Sequence, residues 1–242
     1  MADARLKPDV MLLAAGFGSR LRPLTDTTPK PLIRVGGKPL LDHVVAEALA
    51  AGLDHFVVNA HHHAGQVASH VTTLAARYPS ARFLVSREDH EALDTGGGVK
   101  AALPLLESDP VLVMNTDAFW VGADGAPLRR LIERFAAGGA EMVLLCVHPR
   151  NARGFWRSHD FCLDSAGLIT ADSGAPVIYA GACVFSRELF EGSPDGAFSL
   201  DLLSDAARDR GTLYGTILDA QWLHVGDAEG LTEAEAVLEA MA

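Results

Sequence analysis

Residues 13–32 read LAAGFGSRLRPLTDTTPKPL. Gly16 and Gly18 open the segment, and the cations Arg20, Arg22 and Lys30 follow. Glycines let backbone N–H groups approach phosphate oxygens with no side chain in the way. The cations then neutralise a polyphosphate. Three other glycine-loop chemistries fail here. No Gly-Lys-Ser/Thr follows, so this is not a Walker loop. Leu21 fills the place after Gly18 where a dinucleotide fingerprint wants glycine, and Arg22-Pro23 stops a helix there. A kinase needs His-Arg-Asp and Asp-Phe-Gly downstream, and neither occurs. Asp117 is the second candidate, because it follows the apolar run VLVMNT. A carboxylate just past a buried strand lies at the sheet edge where open α/β proteins bind ligands, and it suits a hard divalent ion.

Other reactive residue types carry less. His61-His62-His63 resembles a metal tract, but neighbouring side chains diverge, so a solvated loop is expected. Cys146, Cys162 and Cys183 form no CxxC pair and read as core residues in a reducing compartment.

The elements that must position these groups are legible from periodicity. Strands are predicted at 10–15, 55–59, 82–86, 111–114 and 141–147, with helices at 42–51, 66–77, 97–106 and 128–136. Strand–helix alternation over the first 150 residues implies a mostly parallel sheet with helices on both faces. Beyond it the alternation breaks. Residues 161–163, 168–170 and 177–185 are strand-like with turns between, which predicts a small antiparallel β region. Helices near 200–210 and 228–241 flank strands at 213–217 and 221–225. The 242 residues, 49% apolar and 21% charged, suit one globular α/β domain. A net charge of −11 argues against a nucleic-acid partner, yet permits a local cationic site for phosphorylated small molecules. Neither a signal-peptide pattern nor an 18-residue apolar run is found, so no membrane association is expected.

The first segment is similar to the signature LAxGxGxRxxPLTxxxPKPL of the sugar-1-phosphate nucleotidyltransferases. Further matches are LDTGGG (93–98), Asn115-Thr116-Asp117, Tyr179-Ala180-Gly181 and Trp222-Leu223-His224-Val225-Gly226-Asp227. The chain most resembles the bacterial N-acetylmuramate-1-phosphate uridylyltransferases of cell-wall recycling. The resemblance implies a Rossmann-like central sheet with a small antiparallel sugar-binding region, in one cytoplasmic domain. About 1–150 would bind the NTP, about 151–227 would bind sugar and complete the metal site, and 228–242 would be a closing helix. The implied substrates are an NTP, UTP first, and a sugar-1-phosphate, N-acetylmuramate-1-phosphate first. Glucose- or mannose-1-phosphate transfer, a phosphocholine-type cytidylyltransferase and a non-catalytic sensor are the alternatives.

By the same resemblance, Arg20 holds the leaving pyrophosphate and Lys30 the α-phosphate or the sugar phosphate. Leu13, Ala15, Gly16, Gly18, Asp94, Thr95, Gly96 and Asn115 meet the nucleotide. Asp160, Tyr179 and Gly181 line the sugar pocket. Asp117 carries Mg²⁺; an imidazole in place of a second carboxylate would let Mn²⁺ or Co²⁺ be accepted too. Three departures stand out. His224 occupies the place of the second metal-binding Asp, and Asp227 reads as a helix cap. The base-reading glutamine has no counterpart near Ser86. The usual sugar-phosphate lysine is missing at 171–173, which leaves Arg153 and Arg157 as candidate substitutes.

Overall fold

The computed structural model describes residues 6–241. Its first strand, β1 (Asp9–Leu13), is an apolar run buried along most of its length, as a strand covered on both faces must be. After the glycine loop come a two-residue hairpin, β2 (Arg34–Val35) and β3 (Lys38–Pro39), and helix α1 (Leu40–Ala50). Then β4 (His55–Ala60), α2 (Ala64–Arg77), β5 (Arg82–Arg87), α3 (Asp94–Ala102) and β6 (Val111–Asn115) alternate. Next are β7 (Ala118–Val121), α4 (Ala126–Ala136), β8 (Met142–Val147) and β9 (Ala152–Arg153). Strands β10 (Phe161–Leu163), β11 (Ile169–Thr170) and β12 (Ala175–Phe185) precede α5 (Asp201–Asp209). Strands β13 (Leu213–Leu218) and β14 (Gln221–His224) and helix α6 (Ala228–Met241) complete the described chain.

The main sheet has nine strands. β5, β4, β1 and β6 lie side by side and parallel. β12 then runs antiparallel between β6 and β8, and β13 pairs parallel with β8. Side chains alternate between two cores, as the period of two requires. Val10 and Leu12 face α1, α2 and α4, whereas Met11 faces α3 and α5.

The structure departs from the predicted elements in three places. α3 starts at Asp94 rather than Gly97, so Asp94–Gly96 belong to the helix's first turn. It stops at Ala102, where Pro104 starts a 3₁₀ turn. The antiparallel strands do not stand apart: β10 pairs with the first half of β12 and extends the main sheet. The unpredicted β7 pairs with β14, and β14 with β9, in a separate three-stranded sheet. No described helix is long and apolar enough to cross a membrane.

Candidate active site

The C-terminal ends of β1, β4, β5 and β6 open onto one cleft of about 310 Å³. Leu13 delivers the chain into the glycine loop there, which winds through tight 3₁₀ turns at Ser19–Leu21, Leu24–Asp26 and Lys30–Leu32. Gly18 is required by shape. Its φ is +61°, and a Cβ would lie 2.8 Å from Thr25 Cγ2 and 3.0 Å from Lys30 Cβ. Thr25 Oγ1 also donates to the Gly18 carbonyl at 2.8 Å, so the loop folds back on itself. Gly16 has nothing within 4 Å of its Cβ position, so the space beside it belongs to the cleft.

Two of the three histidines, His61 and His62, are engaged rather than merely solvated. Phe17 packs on the rings of His61 and His62, at 5.4 and 5.5 Å. His61 Nδ1 donates to the Glu88 carbonyl and His62 Nε2 to the Thr25 carbonyl. His61 and His62 brace the loop from behind.

Lys30 and Asp117 meet within the cleft. Lys30 Nζ donates to Asp117 Oδ2 at 2.8 Å, and the lysine side chain is only 12% exposed. β7 and β14 bring His224 to the same carboxylate, because Ala118 pairs with His224 and Val225 N donates to the Asp117 carbonyl. His224 Nε2 stands 3.8 Å from Asp117 Oδ2. Its Nδ1 lies 3.0 Å from the Gly154 carbonyl. A carbonyl only accepts, so Nδ1 carries a proton and the ring is held with Nε2 facing Asp117. Burial pushes the Asp117 carboxyl up, but the Lys30 ammonium and the His224 ring outweigh it and hold the carboxyl below its usual range. One carboxylate and one oriented imidazole suit an ion that keeps several waters and shares substrate phosphates. Among the described residues no cluster of three His, Cys, Asp or Glu offers a fuller cage. Asp227 faces elsewhere: its Oδ1 accepts from Gly230 N at 3.0 Å and caps α6.

Sequence reasoning missed the wall of this cleft. Asn59 Oδ1 accepts from Ala14 N, and Asn59 Nδ2 donates to Glu88 Oε1, each at 2.6 Å. Glu88 Oε2 accepts from Leu93 N at 2.9 Å. This buried pair fixes the start of the glycine loop relative to the entry of α3. The available signal was a lone Asn ending the apolar β4. Ser86 is buried within β5 and does not line the cleft, whereas Glu88 does.

A second cavity of about 210 Å³ adjoins the first and shares Leu13, Asp94, Thr95 and Asn115 with it. Tyr179, Phe161 and Cys183 form its apolar side, with Ser199, Asp201 and Ser204 on its polar side. Burial pushes the Cys183 thiol up to about 12, so it is no nucleophile. Of the residues expected on the nucleotide, Leu13, Ala15, Gly16, Gly18, Asp94, Thr95 and Asn115 line the first cleft, with Arg20, Lys30 and Asp117. Gly96 does not: its N–H donates to the Phe198 carbonyl, and a Cβ there would strike the Phe198 ring. Of the expected sugar residues, Tyr179 lines the second cavity. Asp160 stands behind it, with Oδ2 accepting from Tyr179 N, and Gly181 packs on Asn115. Arg153 is turned onto the carbonyls of Arg150 and Ala152.

Comparison with known proteins points the same way. Residues 10–209 match the MobA-like NTP transferase domain. The N-acetylmuramate alpha-1-phosphate uridylyltransferase of Caulobacter vibrioides is 36% identical, over 94% of this chain and 96% of its own length. The enzyme of that name from Neisseria meningitidis is 32% identical, over 94% and 96%. The crystal structure of HddC from Yersinia pseudotuberculosis complexed with GMP-PN superposes with a TM-score of 0.75 at 20% identity, covering 96% of this chain and 99% of that one.

Proposed function

This chain belongs to the MobA-like NTP transferase family, and from that membership we propose that it transfers UMP from UTP to N-acetylmuramate-1-phosphate. The products are UDP-N-acetylmuramate and pyrophosphate. The observation that carries the reading is one continuous site. A glycine loop with Arg20, Lys30 and Asp117 lines a cleft that adjoins a second, sugar-sized cavity. The relatives matched along nearly their whole length name the substrates.

The nucleophile is a phosphate oxygen already ionised at neutral pH, so no general base is needed. Catalysis then rests on alignment and on neutralising charge at the α-phosphorus. The loop's backbone N–H groups and Arg20 take the β- and γ-phosphates. Lys30, near the centre of the cleft, faces the α-phosphate and the incoming sugar phosphate. The base lies along Leu13, Ala15 and Gly16 beside Glu88, whose carboxylate is a candidate acceptor for an imide N–H such as uracil's. The sugar enters the cavity of Tyr179, with Asp160 and Gly181 holding that wall. Residues 1–150 thus serve the NTP, 151–227 the sugar and the second metal ligand, and 228–242 close the domain.

Nucleotidyltransferases of this family use a divalent metal ion. Asp117 and His224 would hold it here, with Mg²⁺ as the physiological ion and Mn²⁺ or Co²⁺ accepted through the imidazole. Bound there, it would neutralise phosphate charge in the transition state. A cytoplasmic place in peptidoglycan recycling follows from the same substrates. The test is a pyrophosphate-release screen of four NTPs against sugar-1-phosphates and phosphocholine. UTP with N-acetylmuramate-1-phosphate is the expected best pair. A clear preference for CTP with phosphocholine, or GTP with mannose-1-phosphate, overturns the reading.

A further inference from the structure

The segment from Gly154 to Asp160 joins the two halves of the site. At one end the Gly154 carbonyl holds His224 Nδ1, and Phe155 packs on the rings of Trp222 and His224. At the other end Asp160 N donates to the Val177 carbonyl, and Asp160 Oδ2 accepts from Tyr179 N. The loop therefore runs from the reacting-phosphate end of the site to the wall of the second cavity. Two of its side chains stay in solvent. Trp156 is 74% exposed, and Arg157 is 57% exposed with its guanidinium 4.9 Å from the Trp156 ring centroid. An indole left this bare is an unusual expense for a surface loop unless something covers it.

Arg157 is only loosely engaged. Its nearest carboxylate contact is Nη1 to Asp160 Oδ1 at 3.6 Å, too long for a good hydrogen bond. A guanidinium has five donors in a planar fork, and most of these remain free for a second carboxylate. Its one carboxylate neighbour, Asp160, accepts from Tyr179 N, so the guanidinium stands toward the Tyr179 end of the loop, outside the lining of the cavity itself.

We infer that Arg157, set beside Asp160 and the Trp156 ring, recognises a carboxylate carried by the sugar, and so selects an acidic sugar-1-phosphate over a neutral one. The inference rests on the N-acetylmuramate reading. That sugar differs from N-acetylglucosamine by one lactyl ether, which carries a carboxylate. Arg157 thus serves the substituent, and the sugar phosphate is left to Lys30.

The test compares two products that differ only in that ether. Binding of UDP-N-acetylmuramate and UDP-N-acetylglucosamine is measured by calorimetry for the wild type, Arg157→Gln and Arg157→Lys, beside steady-state kinetics with the matching sugar-1-phosphates. Arg157→Gln is expected to weaken UDP-N-acetylmuramate by roughly 10-fold or more, as loss of a charge-assisted pair does. It should leave UDP-N-acetylglucosamine and the KM for UTP unchanged. Arg157→Lys should recover part of the loss, and the kinetic effect should fall on KM for the acidic sugar rather than on kcat. Equal weakening of both products would place Arg157 on the phosphate or in the scaffold and overturn the inference, as would no weakening of either. If the wild type turns over no N-acetylmuramate-1-phosphate, the substrate reading fails first, and the wild-type arm alone reveals it.

Discussion

Lys30 and Asp117 pair at 2.8 Å in the middle of the cleft, and the pairing makes two separable expectations. Lys30→Met should lower kcat by about 10²-fold or more, the scale seen when one electrostatic donor is lost. It should also raise the Asp117 pKa, because the Lys30 charge is the largest influence lowering it; carboxyl carbon NMR reads this directly. The sign for stability follows. A carboxyl lowered in the fold stabilises it above its unfolded value of about 4. That contribution is lost as pH falls through the lowered folded value. Lys30→Met should therefore flatten the acid limb of the stability–pH profile, and an unchanged limb would contradict the pairing. At the neighbouring position, Asp227→Ala should cost about 1 kcal/mol as a lost helix cap, while Asp227→Asn stays near neutral. His224→Ala should weaken Mn²⁺ binding read by electron paramagnetic resonance, and neither Asp227 variant should.

At the scale of elements, the glycine run at 96–98 shows why α3 can start where it does. A Cβ on Gly98 would lie 2.7 Å from Asn59 Nδ2 and 2.9 Å from Glu88 Oε1. Gly98→Ala should therefore destabilise the protein by about 1–3 kcal/mol, the usual range for overpacking. Gly65 is also helical but has nothing within 4 Å of its Cβ position, so Gly65→Ala should stabilise by up to about 1 kcal/mol. Thermal melts of the two variants should move in opposite directions. The same elements mark what the sequence could reveal. Buried strands and amphipathic helices such as β6 and α4 carry their period in the chain, and the glycine loop carries its chemistry in a contiguous motif. The Asn59–Glu88 bridge, the β7–β14 pairing and the approach of Gly154 to His224 depend on contacts across 29 to 106 residues. No local pattern records such distances. Helix α3 begins three residues before the predicted 97, because its glycines are tolerated there by close packing against residues 196–198.

Across the whole molecule, β12 is the strand that makes one body of the chain. It pairs β6 of the first half on one edge and β8 on the other, and its first residues carry β10. A fold joined through its central sheet should unfold in one calorimetric transition, coincident by near- and far-ultraviolet circular dichroism; two resolved transitions would contradict that coupling. The same junction sets the cleft of Lys30 and Asp117 beside the cavity of Tyr179. Attack on the α-phosphorus is proposed to occur at that junction. Phosphorus NMR of the enzyme with UTP, N-acetylmuramate-1-phosphate and Mg²⁺ tests it most directly. The sugar-phosphate signal should be replaced by paired diphosphate signals of UDP-N-acetylmuramate, with pyrophosphate in equal amount. Release of orthophosphate with UDP, or an unchanged sugar-phosphate signal while UTP is consumed, would contradict it.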